Sequence, residues 1–147
     1  MDRIPAATVT GAHGAIDLAA IGAPLVVYFY PKDDTSGCTR EAQDFTAAAP
    51  AFAEAGVRVI GISKDSPASH MKFTAKHALA IDLASDEDGS ACEAFGVWGE
   101  KKLYGKTYMG IERATFLFAA DGMLVREWRK VRVPGHVDAV LDAARAL

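Results

Sequence analysis

The segment Leu25-Val-Val-Tyr-Phe-Tyr30 is apolar at every position and is closed by Pro31. Successive side chains of a strand point to opposite faces, so a strand with no polar alternate has to be buried on both. Its β-branched and aromatic composition favours a strand over a helix, and its length fits one. A chain holding such a strand builds a sheet with cover on both faces. The stretch is far below the roughly 18–20 residues needed to span a bilayer, so a membrane role is not expected.

The rest of the chain alternates around this strand. Residues 38–55 are rich in Ala and Glu, place Phe45 and Phe52 seven apart and end at Gly56, which predicts a helix with a glycine stop. Val57–Ser63 reads as a second strand. Ser66-Pro67 then opens a helix, Ser as cap and Pro in the first turn, running to about His77. Ile81–Ser85 is a short strand, and Asp86–Phe95 a short helix closed by Gly96. Arg113–Ala119 and Met123–Val133 are strands joined at Asp121-Gly122, and Pro134–Leu147 is an amphipathic closing helix. Thr8–Leu18 fits a hairpin turning at His13-Gly14. The order predicts an α/β fold with a mixed central sheet and helices on both faces.

At 147 residues the chain is expected to form a single domain, residues 1–147. Half of the residues are hydrophobic and 24% charged, which argues against disorder. A net charge of −3 gives no electrostatic reason to bind nucleic acid. Residues 1–7 lack the apolar stretch of a secretory signal, so a reducing, cytoplasmic setting is expected.

Several patterns fail on inspection. Gly105-Lys106-Thr107 resembles the end of a phosphate-binding loop, but the required earlier glycine is Glu100 and no strand is expected ahead of it. Asp86-Glu87-Asp88 lacks the Gly and Glu of a calcium loop, with Ala91 and Val97 in their places, and reads as a solvated turn. His70 and His77 are two turns apart, too far for a helical metal site, and all four histidines read as surface or structural residues. Arg126, Arg129, Lys130 and Arg132 read as charges guarding a sheet edge.

Only two cysteines, Cys38 and Cys92, are present, too few for a disulfide framework or a four-sulfur zinc site. A buried inert thiol is the default for each. The surroundings of Cys38 overturn that default. In Pro31-Lys-Asp-Asp-Thr35-Ser-Gly-Cys38-Thr-Arg-Glu41 a buried strand ends, a polar loop follows, and the cysteine enters the first turn of a helix. Unpaired N–H groups and the positive helix end there favour a thiolate. The loop sits at the carboxyl end of a strand, where open α/β sheets place ligands. Thr35, three residues earlier, can fold its hydroxyl back toward the sulfur. Cys38 is not followed by a second cysteine at the Cys-x-x-Cys spacing, so thioredoxin-type dithiol chemistry is absent.

Pro31-x-x-x-Thr35-x-x-Cys38 resembles the peroxiredoxin signature. The longer strings YFYPKDDTSGCTREAQDF and FGVWGEKKLYGKTYMGIERATFLFAADG are similar to the peroxiredoxin Q, or bacterioferritin comigratory protein, subfamily. The resemblance runs from about Leu25 to the C-terminus and implies a thioredoxin-like fold and a thiol peroxidase needing no cofactor. It assigns Cys38 as the peroxidatic cysteine, Thr35 as the hydroxyl bonding thiolate and peroxide, Pro31 as a shield, and Arg113 as the active-site arginine. Glu41 matches a position able to orient that arginine. Implied partners are a hydroperoxide substrate and a thioredoxin, glutaredoxin or low-molecular-weight thiol as reductant, with the protein a monomer.

One position departs from the subfamily. Many members carry a resolving cysteine five residues after the peroxidatic one, and here that residue is Gln43. The expectation is a one-cysteine mechanism in which an external thiol reduces the sulfenic acid. The alternatives are a Cys38–Cys92 disulfide, which needs the two Cα atoms within about 7 Å, or a redox sensor that passes the oxidation of Cys38 to a partner.

Overall fold

The computed structural model describes residues 1–22 and 24–147. A hairpin of β1 (Thr8–Gly11) and β2 (Gly14–Asp17) leads through a short 3-10 turn to β3 (Leu25–Phe29). Then follow α1 (Ser36–Glu54), β4 (Arg58–Ser63), α2 (Pro67–His77), β5 (Asp82–Ser85) and α3 (Ser90–Ala94). The remainder is β6 (Trp98–Leu103), β7 (Lys106–Ile111), β8 (Ala114–Phe118), β9 (Leu124–Trp128) and α4 (His136–Arg145). Seven strands form one sheet in the order β2-β1-β5-β4-β3-β8-β9, while β6 and β7 make a separate two-stranded ribbon. The pairs β3–β4 and β4–β5 are parallel, and β3–β8, β8–β9 and β1–β5 antiparallel, so the sheet is mixed as expected.

The central strand does what its composition requires. Leu25, Val27 and Phe29 join Ile60, Ile62, Phe116 and Phe118 in a core that also holds Ala91, Cys92 and Phe95 of the α3 segment. Val26, Tyr28 and the following Tyr30 face the other way, into a core with Cys38 and Phe45 of α1, Phe73 of α2 and Val137 and Val140 of α4. Three helices thus cover one face. The short α3 and the N-terminal segment cover the other. Among the described residues no helix is long and apolar enough to cross a membrane.

Helix caps follow local chemistry. The Ser66 hydroxyl accepts from the Ser69 N–H at 3.1 Å and Pro67 starts α2. α1 runs into Ala55 and the chain reverses at Gly56, whose φ of +74° is open to glycine.

Four boundaries differ from the sequence reading. α3 begins at Ser90, because Asp86 stays outside the helix and caps it from a distance: its two oxygens accept from the Ala91 N–H at 3.0 Å and the Cys92 N–H at 2.8 Å. Asp86 is therefore buried, while Glu87 and Asp88 form the solvated turn expected there. The β6–β7 ribbon was not expected at all. Its turn is Tyr104-Gly105, both at positive φ, so a strand does precede Gly105-Lys106-Thr107, but it returns as a hairpin and no helix follows. The strand after Asp121-Gly122 stops at Trp128 and not Val133, since Lys130 takes φ +46° and the Lys130 N–H turns to the Glu112 carboxylate at 2.9 Å. The N-terminal hairpin forms, with its turn at Ala12-His13 and Gly14 already in the second strand.

Gly61 lies under the buried Tyr28 ring, which stacks on Phe45 at 4.5 Å. A Cβ at Gly61 would stand 2.5 Å from Tyr28 Cζ. Gly61→Ala is expected to destabilise the protein by about 1–3 kcal/mol through overpacking, read as a lowered urea midpoint with an unchanged slope.

Candidate active site

Thr35 is the N-cap of α1, with extended backbone. The first helical hydrogen bond of this turn runs from the Thr39 N–H to the Thr35 carbonyl at 2.8 Å. Cys38 is the third residue of the helix, so it sits within the turn whose N–H groups precede that bond. Cys38, Glu41, Ala42 and Phe45 form the buried stripe of α1 at helical spacing. The cysteine is 2% exposed.

Sheet register brings the arginine to it. Phe29 of β3 pairs with Ala114 of β8, so the residue ahead of Ala114 lies beside the end of β3 where the loop to α1 begins. That residue is Arg113. Its Nη2 donates to the Cys38 sulfur at 3.4 Å and its Nη1 to Glu41 Oε1 at 2.7 Å. Gly37 leaves room for this approach, since a Cβ there would stand 3.2 Å from Arg113 Nη2. The Arg113 backbone is held too: its carbonyl accepts from the Val131 N–H at 3.0 Å. The adjacent Glu112 takes Arg129 in a bidentate pair at 2.8 and 3.1 Å. Arg129 is thus engaged with Glu112, whereas Arg126 lies exposed on edge strand β9 as expected for a guard.

Glu41 is fully buried. Burial pushes its carboxyl up to about 7, against the downward pull of the Arg113 charge and hydrogen bond. Arg113 is shifted the other way from what its own burial would do: Glu41 and then Cys38 hold it above the ordinary arginine value. The two shifts describe one contested pair. The 2.7 Å contact is that of ionised partners, and the burial cost is what keeps the protonated carboxyl close in energy. Glu41 Oε2 has no hydrogen-bond partner among the described residues, nor has the buried Tyr28 hydroxyl.

Of the other expected residues, Pro31 and Arg113 both line a cavity of about 510 Å³, together with Trp98, Lys101, Gly110 and Val131. Thr35 lies in the same loop, but its hydroxyl donates to the Lys32 carbonyl at 2.8 Å rather than turning to the sulfur. Gln43 is exposed on α1. Cys92 is apart from this constellation: it is 0% exposed and packs in the core on the opposite face of the sheet from Cys38. Burial, and then Asp86, push its thiol far above the ordinary value. Sequence reasoning missed Asp33, His70 and Lys101. His70 and Phe73 share a helix face behind the Ser66-Pro67 start, which is the one local sign that this histidine points inward. His136 is also buried, where its Nε2 meets the Thr115 hydroxyl at 2.8 Å.

With this geometry in place, comparison with known proteins is informative. The AhpC/TSA family model matches residues 1–127. Peroxiredoxin Bcp of Xanthomonas campestris is 53% identical over 122 residues, 83% of this chain and 76% of that protein. Peroxiredoxin Bcp of Bacillus subtilis is 49% identical over 124 residues, 84% of this chain and 79% of that protein. A structure of the X. campestris bacterioferritin comigratory protein, studied for its alkyl peroxide reduction activity, superposes with a TM-score of 0.91 at 46% identity, covering 99% of this chain and 97% of that one. A thioredoxin-like α/β sheet with a cysteine at the start of its first long helix and an arginine against the sulfur defines a thiol-dependent peroxidase. The chain belongs to the AhpC/TSA family, and within it to the peroxiredoxins.

Glu41 gives a pH test with a definite sign. Its carboxyl is raised in the folded state, so the stability it contributes is fully present below its ordinary value of 4.5 and is lost as pH rises through about 7. The difference in unfolding free energy between wild type and Glu41→Gln is expected to shift against wild type over that interval. Urea titrations at several pH values measure it; a difference independent of pH would contradict the assignment.

Proposed function

We propose that Cys38 is the peroxidatic residue of this thiol peroxidase and that residues 1–147 act as one domain around it. The observation that carries the reading is the Arg113 guanidinium, 3.4 Å from the Cys38 sulfur and itself braced by Glu41. The thiolate attacks the distal oxygen of a hydroperoxide and the O–O bond breaks. The distal OH stays on sulfur as sulfenic acid, and the leaving hydroxide or alkoxide takes a proton from water. Negative charge passes from sulfur to the leaving oxygen. A guanidinium that is always protonated stabilises both ends of that displacement.

Thr35 and Pro31 fit supporting roles. The Thr35 hydrogen is committed to the Lys32 carbonyl, so its oxygen is left to accept from the hydroperoxide O–H. Pro31 limits water on the loop side. The alkyl peroxide reduction of the X. campestris relative supports organic hydroperoxides as substrates beside hydrogen peroxide. No cofactor enters this balance.

Resolution falls to an external thiol. The first thiol attacks the sulfenic sulfur and releases water, and a second frees Cys38 from the mixed disulfide. Thioredoxin, glutaredoxin or a small thiol could serve, and the cytoplasm is the compartment rich in such thiols. The opposite-face burial of Cys92 and the weakened acidity of its thiol both speak against it as the attacking partner.

Cys38→Ser is expected to abolish peroxide consumption, and Arg113→Lys to lower the rate constant by roughly 100-fold or more, both followed by stopped-flow peroxide decay. After one equivalent of peroxide, dimedone should label Cys38 equally in wild type and Cys92→Ser. A label that forms only in the Cys92→Ser variant would establish the Cys38–Cys92 disulfide instead.

A further inference from the structure

We propose that Asp33 and His70 are positioning residues for the peroxidase reaction: a buried, hydrogen-bonded carboxylate–histidine pair that locks the loop entering the Cys38 helix onto α2 and β5. This rests on the peroxidase reading above. Asp33 lies two residues before Thr35, and His70 is in the middle of α2, 37 positions away in the chain. Both are buried, at 8% and 5% exposure.

The hydrogen bonds fix where the ring sits. His70 Nδ1 is 2.8 Å from Asp33 Oδ2 and 3.3 Å from the Tyr30 hydroxyl, and Nε2 is 3.0 Å from the Ala84 carbonyl. Both ring nitrogens are thus engaged, one toward the loop and one toward β5. Asp33 is held as the carboxylate: its Oδ1 accepts the Tyr30 hydroxyl at 2.6 Å and its Oδ2 the Ser69 hydroxyl at 2.8 Å. Burial opposes the charge on Asp33, yet the hydrogen bond with His70, and then those from Tyr30 and Ser69, outweigh it and lower the carboxyl from its ordinary value.

The pair is the centre of a larger fastening. The Asp33 N–H donates to Asp65 Oδ2 at 2.9 Å, and Asp65 is fixed by the Ser63 hydroxyl at 2.7 Å. Next in the loop, Asp34 takes φ +58°, a strained setting for a residue other than glycine. Its carboxylate receives Lys76 at 2.6 Å and His77 at 2.9 Å, again from α2. Thr35 then caps α1. Both loop acids therefore reach the same helix, and they hold the conformation that decides where α1 starts. The start of α1 in turn aims its first N–H groups and the Thr35 oxygen at the place where a peroxide meets Cys38.

Neither Asp33 nor His70 contacts the sulfur or Arg113 among the described hydrogen bonds, so their effect is on geometry. The test uses the full chain with Asp33→Ala, His70→Ala and the double variant, each checked for native near-UV circular dichroism. Two steps are timed separately: the single-turnover reaction of Cys38 with hydrogen peroxide, and reduction of the sulfenic acid by 2-mercaptoethanol. Each single variant is expected to slow the first step by roughly 10- to 100-fold while the second is unchanged or faster, and the double variant to be no slower than either single one. Loss of reactive fraction at a wild-type rate constant, or losses that multiply in the double variant, would overturn the proposal. If the alanine variants do not fold, Asp33→Asn and His70→Gln take their place, with the same two steps timed and the same outcomes supporting or overturning the proposal. A wild-type protein that fails to consume peroxide would instead refute the underlying reading.

Discussion

The contact on which this structure depends is the guanidinium of Arg113 set between the Glu41 carboxylate and the Cys38 sulfur. It joins α1 to the residue ahead of β8, 72 positions away in the chain, and it puts a permanent positive charge against the Cys38 sulfur in the first turn of α1. Removing one member of a buried ion pair commonly costs about 3–5 kcal/mol, because the partner is left charged and unpaired. The pair therefore fixes geometry more than it adds stability. Among the described residues one Glu41 oxygen has no partner, and burial raises the carboxyl while the arginine it orients pulls it back toward the charged form.

The sheet explains why these groups meet. A central strand buried on both faces has to lie between layers, and its carboxyl end then opens into a loop at the edge of the helical layer. The antiparallel partner β8 begins at that same end, so its leading arginine arrives there through register alone. The loop between is not left to wander. Asp33 and Asp34 bind it to α2, while Asp65, just past the end of β4, and the Ala84 carbonyl of β5 complete the fastening. On the far side, the Val131 N–H holds the Arg113 carbonyl, and the neighbouring Glu112 side chain takes Arg129 and the Lys130 N–H.

Elements whose pattern matched a single environment were legible. The strand at Leu25, the helix capped by Ser66-Pro67 and the stripe Val137, Val140, Leu141 and Ala144 are examples. The β6–β7 ribbon was not, because it packs little against the core: its Lys, Glu and Tyr side chains are mostly exposed and leave no alternation to read. The strand after Asp121-Gly122 was overextended for a related reason. Nothing local announces that Arg129 and the Lys130 N–H will turn aside to Glu112.

The sequence alone determined the layered α/β class and singled out Cys38 as the candidate reactive residue, since both follow from patterns within a dozen residues: an unbroken apolar run, a proline stop, a polar loop and a helix start. Only the tertiary structure decided what surrounds the sulfur. Arg113 could be named from resemblance, but its distance from Cys38 depends on sheet register. The face of the sheet that buries Cys92, the turn of the Thr35 hydroxyl toward Lys32 and the pairing of Asp33 with His70 each depend on segments that meet only after folding. Contacts between residues tens of positions apart are set by how layers pack, and no local pattern encodes that.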